Sequence, residues 1–244
     1  MATAHCEWGL NGVQMLRERV SVLVIVDVLS FSTAVDIAVA RGAQIVPFPL
    51  GDPDAAARAA ATANARLASP RRAGEQLSLS PASLQAIAAG TRLMLPSPNG
   101  SRLSLEGAPA IVLAGCLRNR SAVARAALAA SDGRDIAVIP AGERWRSDDS
   151  LRPAIEDLIG AGAILDALGL PLTAEARVAR DAFLSARSAL AQTIADSLSG
   201  RELIEKGFPQ DVELAAQFDV SATAPVLRDG CYRDGGVQPS DGSK

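Results

Sequence analysis

Val20-Ser21-Val22-Leu23-Val24-Ile25-Val26 is an apolar, β-branched run that ends abruptly in Asp27-Val28-Leu29-Ser30-Phe31-Ser32-Thr33. A run without polar alternation reads as a strand buried on both faces, as in a parallel sheet covered by helices. Residues 32–41 follow as a helix closed by Gly42, and residues 44–49 as a second strand. Asp52 caps a further helix with Pro53 in its first turn. Residues 81–89 form a short helix between Ser80 and Gly90. Residues 92–95, 110–114 and 135–139 are three more apolar runs, separated by helical stretches. This alternation predicts an α/β fold: a mixed, largely parallel sheet with helices on both faces.

The second half is more helical. Residues 153–168 begin with Pro153 and carry Gly160-Ala161-Gly162-Ala163, small residues suited to close helix packing. Residues 173–198 read as one long amphipathic helix or a pair, with shorter helices at 200–207 and 210–218. Residues 224–227 are expected as an edge strand before an Asp229-Gly230 turn. Residues 1–232 read as a single domain and 233–244 as a flexible tail.

Composition narrows the chemistry. The 244 residues carry 24 Lys+Arg against 27 Asp+Glu, only 3% aromatics, and one histidine, His5. A lone histidine near the N-terminus disfavours histidine zinc sites and Ser-His-Asp triads. The acidic balance and scarce aromatics argue against nucleic acid as a partner. No apolar run approaches the roughly 18 residues that span a membrane. The N-terminal residues lack a signal-peptide apolar core, so a cytoplasmic location is expected. Cys6, Cys116 and Cys231 are too scattered for a disulfide framework or a CxxC site. Carboxylates, hydroxyls, main-chain amides, arginines or a bound metal ion remain.

Polar residues gather after the strands, where open α/β sheets bind ligands. Asp27 and its hydroxyls follow the first strand; Ser97-Pro98-Asn99-Gly100-Ser101 follows residues 92–95. Gly115-Cys116-Leu117-Arg118-Asn119-Arg120 follows residues 110–114, and Ala141-Gly142-Glu143-Arg144-Trp145-Arg146 follows residues 135–139. If these strands are parallel neighbours, the four ends share one edge. Helix N-termini after Ser30, Gly100 and Asn119 would offer amides to an anion, and Arg118, Arg120, Arg144, Arg146 and Arg152 are available charge. Each cluster also has a plain reading: Asn-Gly is turn chemistry, and Glu156-Asp157 suits the first turn of a helix. Asp-x-Asp, Cys-x5-Arg, P-loop and GxSxG motifs do not occur at these strand ends.

Asp27-Val28-Leu29 with Ser32-Thr33, Gly74-Glu75, Ser80-Pro81, Asn99-Gly100-Ser101, Ala141-Gly142 and Glu156-Asp157, in this order, resemble the 2-phosphosulfolactate phosphatase family. These are magnesium-dependent acid phosphatases of the coenzyme M pathway. The resemblance runs from about Val20 to Tyr232. It implies one Mg2+ and hydrolysis of a phosphate monoester on a small acidic molecule, 2-phosphosulfolactate or similar. By position, Asp27, Glu75, Glu156 and Asp157 become metal candidates, and Asp27, Asn99 and Glu143 catalytic candidates. Ser32, Thr33, Asn99, Gly100, Ser101, Arg118, Asn119, Gly142 and Arg144 become substrate-binding candidates. Three departures stand out: Ser30 where relatives usually carry Arg, Ser97-Pro98 where they carry Thr-Thr, and Pro140 where they carry Cys. Losing an arginine removes a bidentate anion contact. The alternative expectation is therefore a non-catalytic binder of a small phosphorylated or sulfonated acid. A homodimer is the expected assembly, on general grounds alone.

Overall fold

A computed structural model describes residues 1–70 and 76–235. Glu75 and residues 236–244 lie outside the described residues. The strands are β1 (Ala4–Cys6), β2 (Val22–Val26), β3 (Gln44–Pro49), β4 (Arg66–Leu67), β5 (Arg92–Ser97) and β6 (Ile111–Gly115). They continue as β7 (Ile136–Pro140), β8 (Glu143–Arg144), β9 (Leu151–Arg152), β10 (Pro225–Arg228) and β11 (Cys231–Asp234). The helices of the first half are α1 (Gly9–Leu16), α2 (Phe31–Ala40), α3 (Pro53–Thr62), α4 (Pro81–Leu84), α5 (Gly100–Leu105) and α6 (Arg120–Ser131). Those of the second half are α7 (Ile155–Leu168), α8 (Ala174–Ala186), α9 (Leu190–Asp196), α10 (Leu198–Glu205) and α11 (Pro209–Ala215).

The fold is α/β, as expected. The main sheet runs β1-β7-β2-β6-β10-β11-β3-β5-β4, and β8 pairs with β9 in a separate ribbon. β2 explains its own sequence. Val22, Val24 and Val26 enter the core under α6, α7 and α8, while Leu23 and Ile25 enter the core under α2 and α5. Both faces are covered, so neither parity can be polar. On the first of these faces Gly162 lets α8 approach α7; a Cβ there would fall 2.0 Å from the Ala179 carbonyl oxygen.

Two expectations need correction. First, the segment after Ala224 is not an edge strand. β10 and β11 form a hairpin inside the sheet, with Val226 opposite Leu113 and Tyr232 opposite Ile45. Asp229 and Gly230 both take positive φ (50° and 72°), the geometry of a two-residue turn that matches strand twist. β11 also extends to Asp234, past the expected start of the tail.

Second, the strands are not all parallel neighbours. β7, β2 and β6 are, but the antiparallel hairpin separates them from β3, β5 and β4, which therefore run the opposite way. The β5 end nevertheless reaches the β2 end, because the Gly100 N–H donates to Asp27 Oδ2 at 2.9 Å. Twist of roughly 20–25° per strand, accumulated over the steps between them, swings the reversed group round. Residues 173–198 take the second of the two expected forms, a pair of helices, α8 and α9, joined by a 3-10 turn at Arg187–Ala189.

The N-terminal strand β1 was not evident in the sequence. It lies beside β7, and His5 Nε2 meets Asp135 Oδ2 at 3.1 Å. That contact sits at the opening end of β7, away from the strand ends that carry Asp27 and Gly142. Among the described residues, no helix is long and apolar enough to cross a membrane.

Candidate active site

Asp27 closes β2 and is 6% exposed. Its Oδ1 accepts the Phe31 N–H at 3.2 Å and its Oδ2 the Gly100 N–H at 2.9 Å, so two loops clamp the carboxylate. The local sequence builds this clamp. Ser32 Oγ accepts the Asp27 N–H and donates to the Ile25 carbonyl, and Thr33 Oγ1 donates to the Val28 carbonyl. Ser101 Oγ likewise donates to the Leu95 carbonyl. All three hydroxyls are buried and turned to the main chain. They shape the Asp27 loop and the α5 entry through these main-chain bonds.

Asp157, in the first turn of α7, is a strut. Its Oδ1 accepts the Val28 N–H at 2.7 Å and its Oδ2 the Gly142 N–H at 2.9 Å, tying the β2 loop to the β7 loop. Glu156 beside it is 2% exposed. Burial raises Asp157 well above the ordinary aspartate range, and the charges of Asp27 and then Glu156 raise it further. Glu143 belongs to the same field. Burial first, then the Asp27 charge, push it up to about 7, against an opposing hydrogen bond from Asn99. That bond runs from Asn99 Nδ2 to Glu143 Oε2 at 2.9 Å.

Asp27, Glu143, Glu156 and Asp157 thus repel one another in a shared, poorly hydrated volume. Among the described residues no three His, Cys, Asp or Glu side chains converge as a ready metal cage. A hard divalent cation such as Mg2+ needs no such cage, since one or two carboxylates with waters and substrate oxygens suffice. The all-oxygen donor set and its net negative charge fit that ion. Burial and the neighbouring charges favour the protonated form of Asp157, which leaves Asp27 and Glu156 as the better placed acids.

The pH dependence has a definite sign. In the unfolded chain a glutamate releases its proton near 4.3, while folded Glu143 holds it to about 7. Between those values the folded state binds more protons, so this group makes stability fall as pH rises. Thermal melts in chelator from pH 4.5 to 8 should show wild type losing stability relative to Glu143→Gln across that window. Parallel curves would contradict this account of Glu143.

Glu143 also faces a cavity of about 520 Å³. Arg144, Arg146, Arg152 and Lys206 line it, giving four cationic side chains against Glu143 and Glu202. The β8–β9 ribbon forms one wall. The other is the α10 face, where Ser199, Glu202, Leu203 and Lys206 recur at helical spacing. Buried acids and a cation-lined cavity therefore meet at one residue, Glu143.

The sequence profile described as 2-phosphosulpholactate phosphatase matches residues 13–230, nearly the whole chain. The chain belongs to the 2-phosphosulfolactate phosphatase family. A 2-phosphosulfolactate phosphatase from Methanothermobacter thermautotrophicus is 36% identical over 143 residues, which is 58% of this chain. The alignment also spans 58% of that relative's length. Asp27, Asn99, Glu143, Glu156 and Asp157 all fall inside the family match.

Two residues expected at the substrate lie elsewhere in this phosphatase family member. Arg118 Nε donates to Asp36 Oδ2 at 2.9 Å, Nη1 to the Leu214 carbonyl at 3.3 Å, and Nη1 also meets Gln217 Oε1. Asn119 is fully buried, its Oδ1 accepting the Cys116 N–H at 2.9 Å. Both serve Asp36, a carboxylate fully buried on α2, with Arg118 on one oxygen, Ser221 Oγ donating to the other at 2.6 Å, and Asn119 adding a side-chain hydrogen bond. The signal was in the sequence: an acid within Phe31-Ser32-Thr33-Ala34-Val35-Asp36-Ile37 needs a buried cation. Cys116, pushed up to about 12 by burial, is no nucleophile. Arg120 pairs with Asp166 at 3.2 Å and lies over the Phe218 ring. The converging set is Asp27, Asn99, Gly100, Gly142, Glu143, Glu156 and Asp157, with Arg144 on the cavity. Lys206 and the α10 wall gave no local sequence signal.

Proposed function

We propose that this chain is a Mg2+-dependent phosphatase hydrolysing 2-phosphosulfolactate to sulfolactate and phosphate. What supports this reading is the meeting, at Glu143, of the buried carboxylates with the cation-lined cavity. The substrate carries phosphate, sulfonate and carboxylate on three carbons, and clustered guanidinium and ammonium groups suit such a polyanion. The family relative supplies the substrate's name.

Asp27 and Glu156 would hold the cation, which when bound polarises the phosphoryl group and offsets developing charge. The two N–H groups on Asp27 fix that carboxylate in direction. Glu143, protonated near neutral pH, donates its proton to the ester oxygen as the P–O bond breaks. Asn99 orients the Glu143 carboxyl, and Asp157 keeps the two loops in register. The cavity cations hold the anionic substrate during transfer of the phosphoryl group to water.

Phosphate release from 2-phosphosulfolactate should require Mg2+ and stop in EDTA. Glu143→Gln should slow turnover by roughly 10²–10⁴-fold, the usual worth of a positioned acid. Tight binding of the ester without phosphate release in Mg2+ would overturn the catalytic reading and leave the binder.

A further inference from the structure

The four cavity cations are not equivalent. Arg144 has Asp149 at 3.6 Å and Lys206 has Glu202 at 3.8 Å, while Arg146 is exposed. Arg152 is different: it is 7% exposed, lines the cavity, and has no carboxylate in ion-pair contact among the described residues. Its Nη2 donates to the neutral Ser199 Oγ at 3.3 Å, and its guanidinium lies 5.8 Å from the Trp145 ring centre. Its charge acts on the Glu143 carboxyl, but its direct contacts are a hydroxyl and a ring, and a buried guanidinium so held is costly until an anion completes it. In the β8–β9 ribbon Arg152 stands directly opposite Glu143, and such cross-strand partners have Cβ atoms about 5 Å apart.

Resting on the phosphatase reading, we infer that Arg152 binds an acidic group of the substrate other than the phosphate being transferred, with Ser199 and Trp145 holding its guanidinium in place. The planar fork matches a sulfonate or carboxylate through paired N–H donors. Its register opposite Glu143 sets that group one substituent away from the bond being cleaved. The site thereby selects phosphate esters of hydroxy acids with a neighbouring acid, over esters that carry phosphate alone.

The test compares two esters on the full chain in Mg2+. Arg152→Gln should raise KM for 2-phosphosulfolactate by about 10- to 100-fold, the worth of a charge-assisted hydrogen-bonded pair. For p-nitrophenyl phosphate, which lacks a second acid, the loss in kcat/KM should be smaller by at least about fivefold, the difference being the charge-assisted pair that this ester cannot form. Arg152→Lys should recover part of the loss. Ser199→Ala and Trp145→Leu should raise the same KM by smaller factors, which keeps the test open if Arg152→Gln folds poorly. Equal losses on both esters, or an unchanged KM for the acidic one, would overturn the assignment. Calorimetric titration with sulfolactate separates this from the phosphatase reading, since it needs no turnover. Sulfolactate binding lost in Arg152→Gln supports the assignment even if the wild type hydrolyses neither ester. Sulfolactate binding unchanged in that variant overturns it.

Discussion

Asp27→Asn is expected to lower phosphate release by on the order of 10²–10³-fold, the scale of removing one preorganised electrostatic group from a reaction centre. Asn keeps the shape of Asp, so the loss reports charge and orientation. One amide oxygen can still accept from either Phe31 or Gly100, but the NH2 then faces the other N–H. That donor–donor contact costs about 1–3 kcal/mol. Relief of repulsion at Glu143 and Asp157, both raised by the Asp27 charge, offsets it. Stability of the metal-free variant should therefore stay close to wild type while activity collapses. A second readout belongs to the electrostatics alone: the Glu143 transition in stability against pH should move down. Undiminished activity would remove Asp27 from the reaction.

Gly100→Ala is expected to damage fold and activity together. A Cβ on Gly100 would lie 2.3 Å from Phe31 Cδ1, 2.6 Å from Phe31 Cγ and 2.8 Å from Asp27 Oδ2. Phe31 cannot yield easily: it is fully buried and packs edge-on against Tyr232 at 6.1 Å. Tyr232 in turn donates to Ser104 Oγ at 2.7 Å. Overpacking of this kind costs about 1–3 kcal/mol and occasionally more, and for a chain this long each kcal/mol lowers Tm by roughly 2–4 °C. The same Cβ pushes Asp27 off its amide clamp, so kcat should fall as well. Gly51→Ala, with nothing within 4 Å, is the matched control and should change neither. Full activity with an unchanged Tm in Gly100→Ala would mean the two loops do not meet as described.

These two residues also mark how far the sequence could be read. Val22 to Val26 is apolar at every position because both faces of β2 are covered, and that pattern is local. Asp27 at its end and Asn99-Gly100 after β5 were recognisable as turn-forming polar residues at strand ends. Their meeting was not, because it depends on the β10–β11 hairpin entering the sheet and reversing β3, β5 and β4. A four-residue strand such as Pro225–Arg228 carries too little pattern to announce a central position. Arginines posed a different problem. Arg118, Arg144 and Arg152 look alike in the sequence, and only their partners separate them. Asp36 claims Arg118 at 2.9 Å, whereas Arg144 and Arg152 face the cavity. Lys206 enters from α10, more than fifty residues after Arg152, so no local motif joins them.

The central claim is that Asp27 and its neighbouring acids, together with the cavity beside Glu143, serve one phosphate ester through one divalent cation. A crystal structure grown with Mn2+ in place of Mg2+, and with inorganic phosphate, tests it most directly through the anomalous signal of the metal. The account predicts a single Mn2+ on a carboxylate oxygen of Asp27, with phosphate between that ion and Glu143. Manganese absent from Asp27, or phosphate seated instead at Arg118 and Asn119, would contradict it.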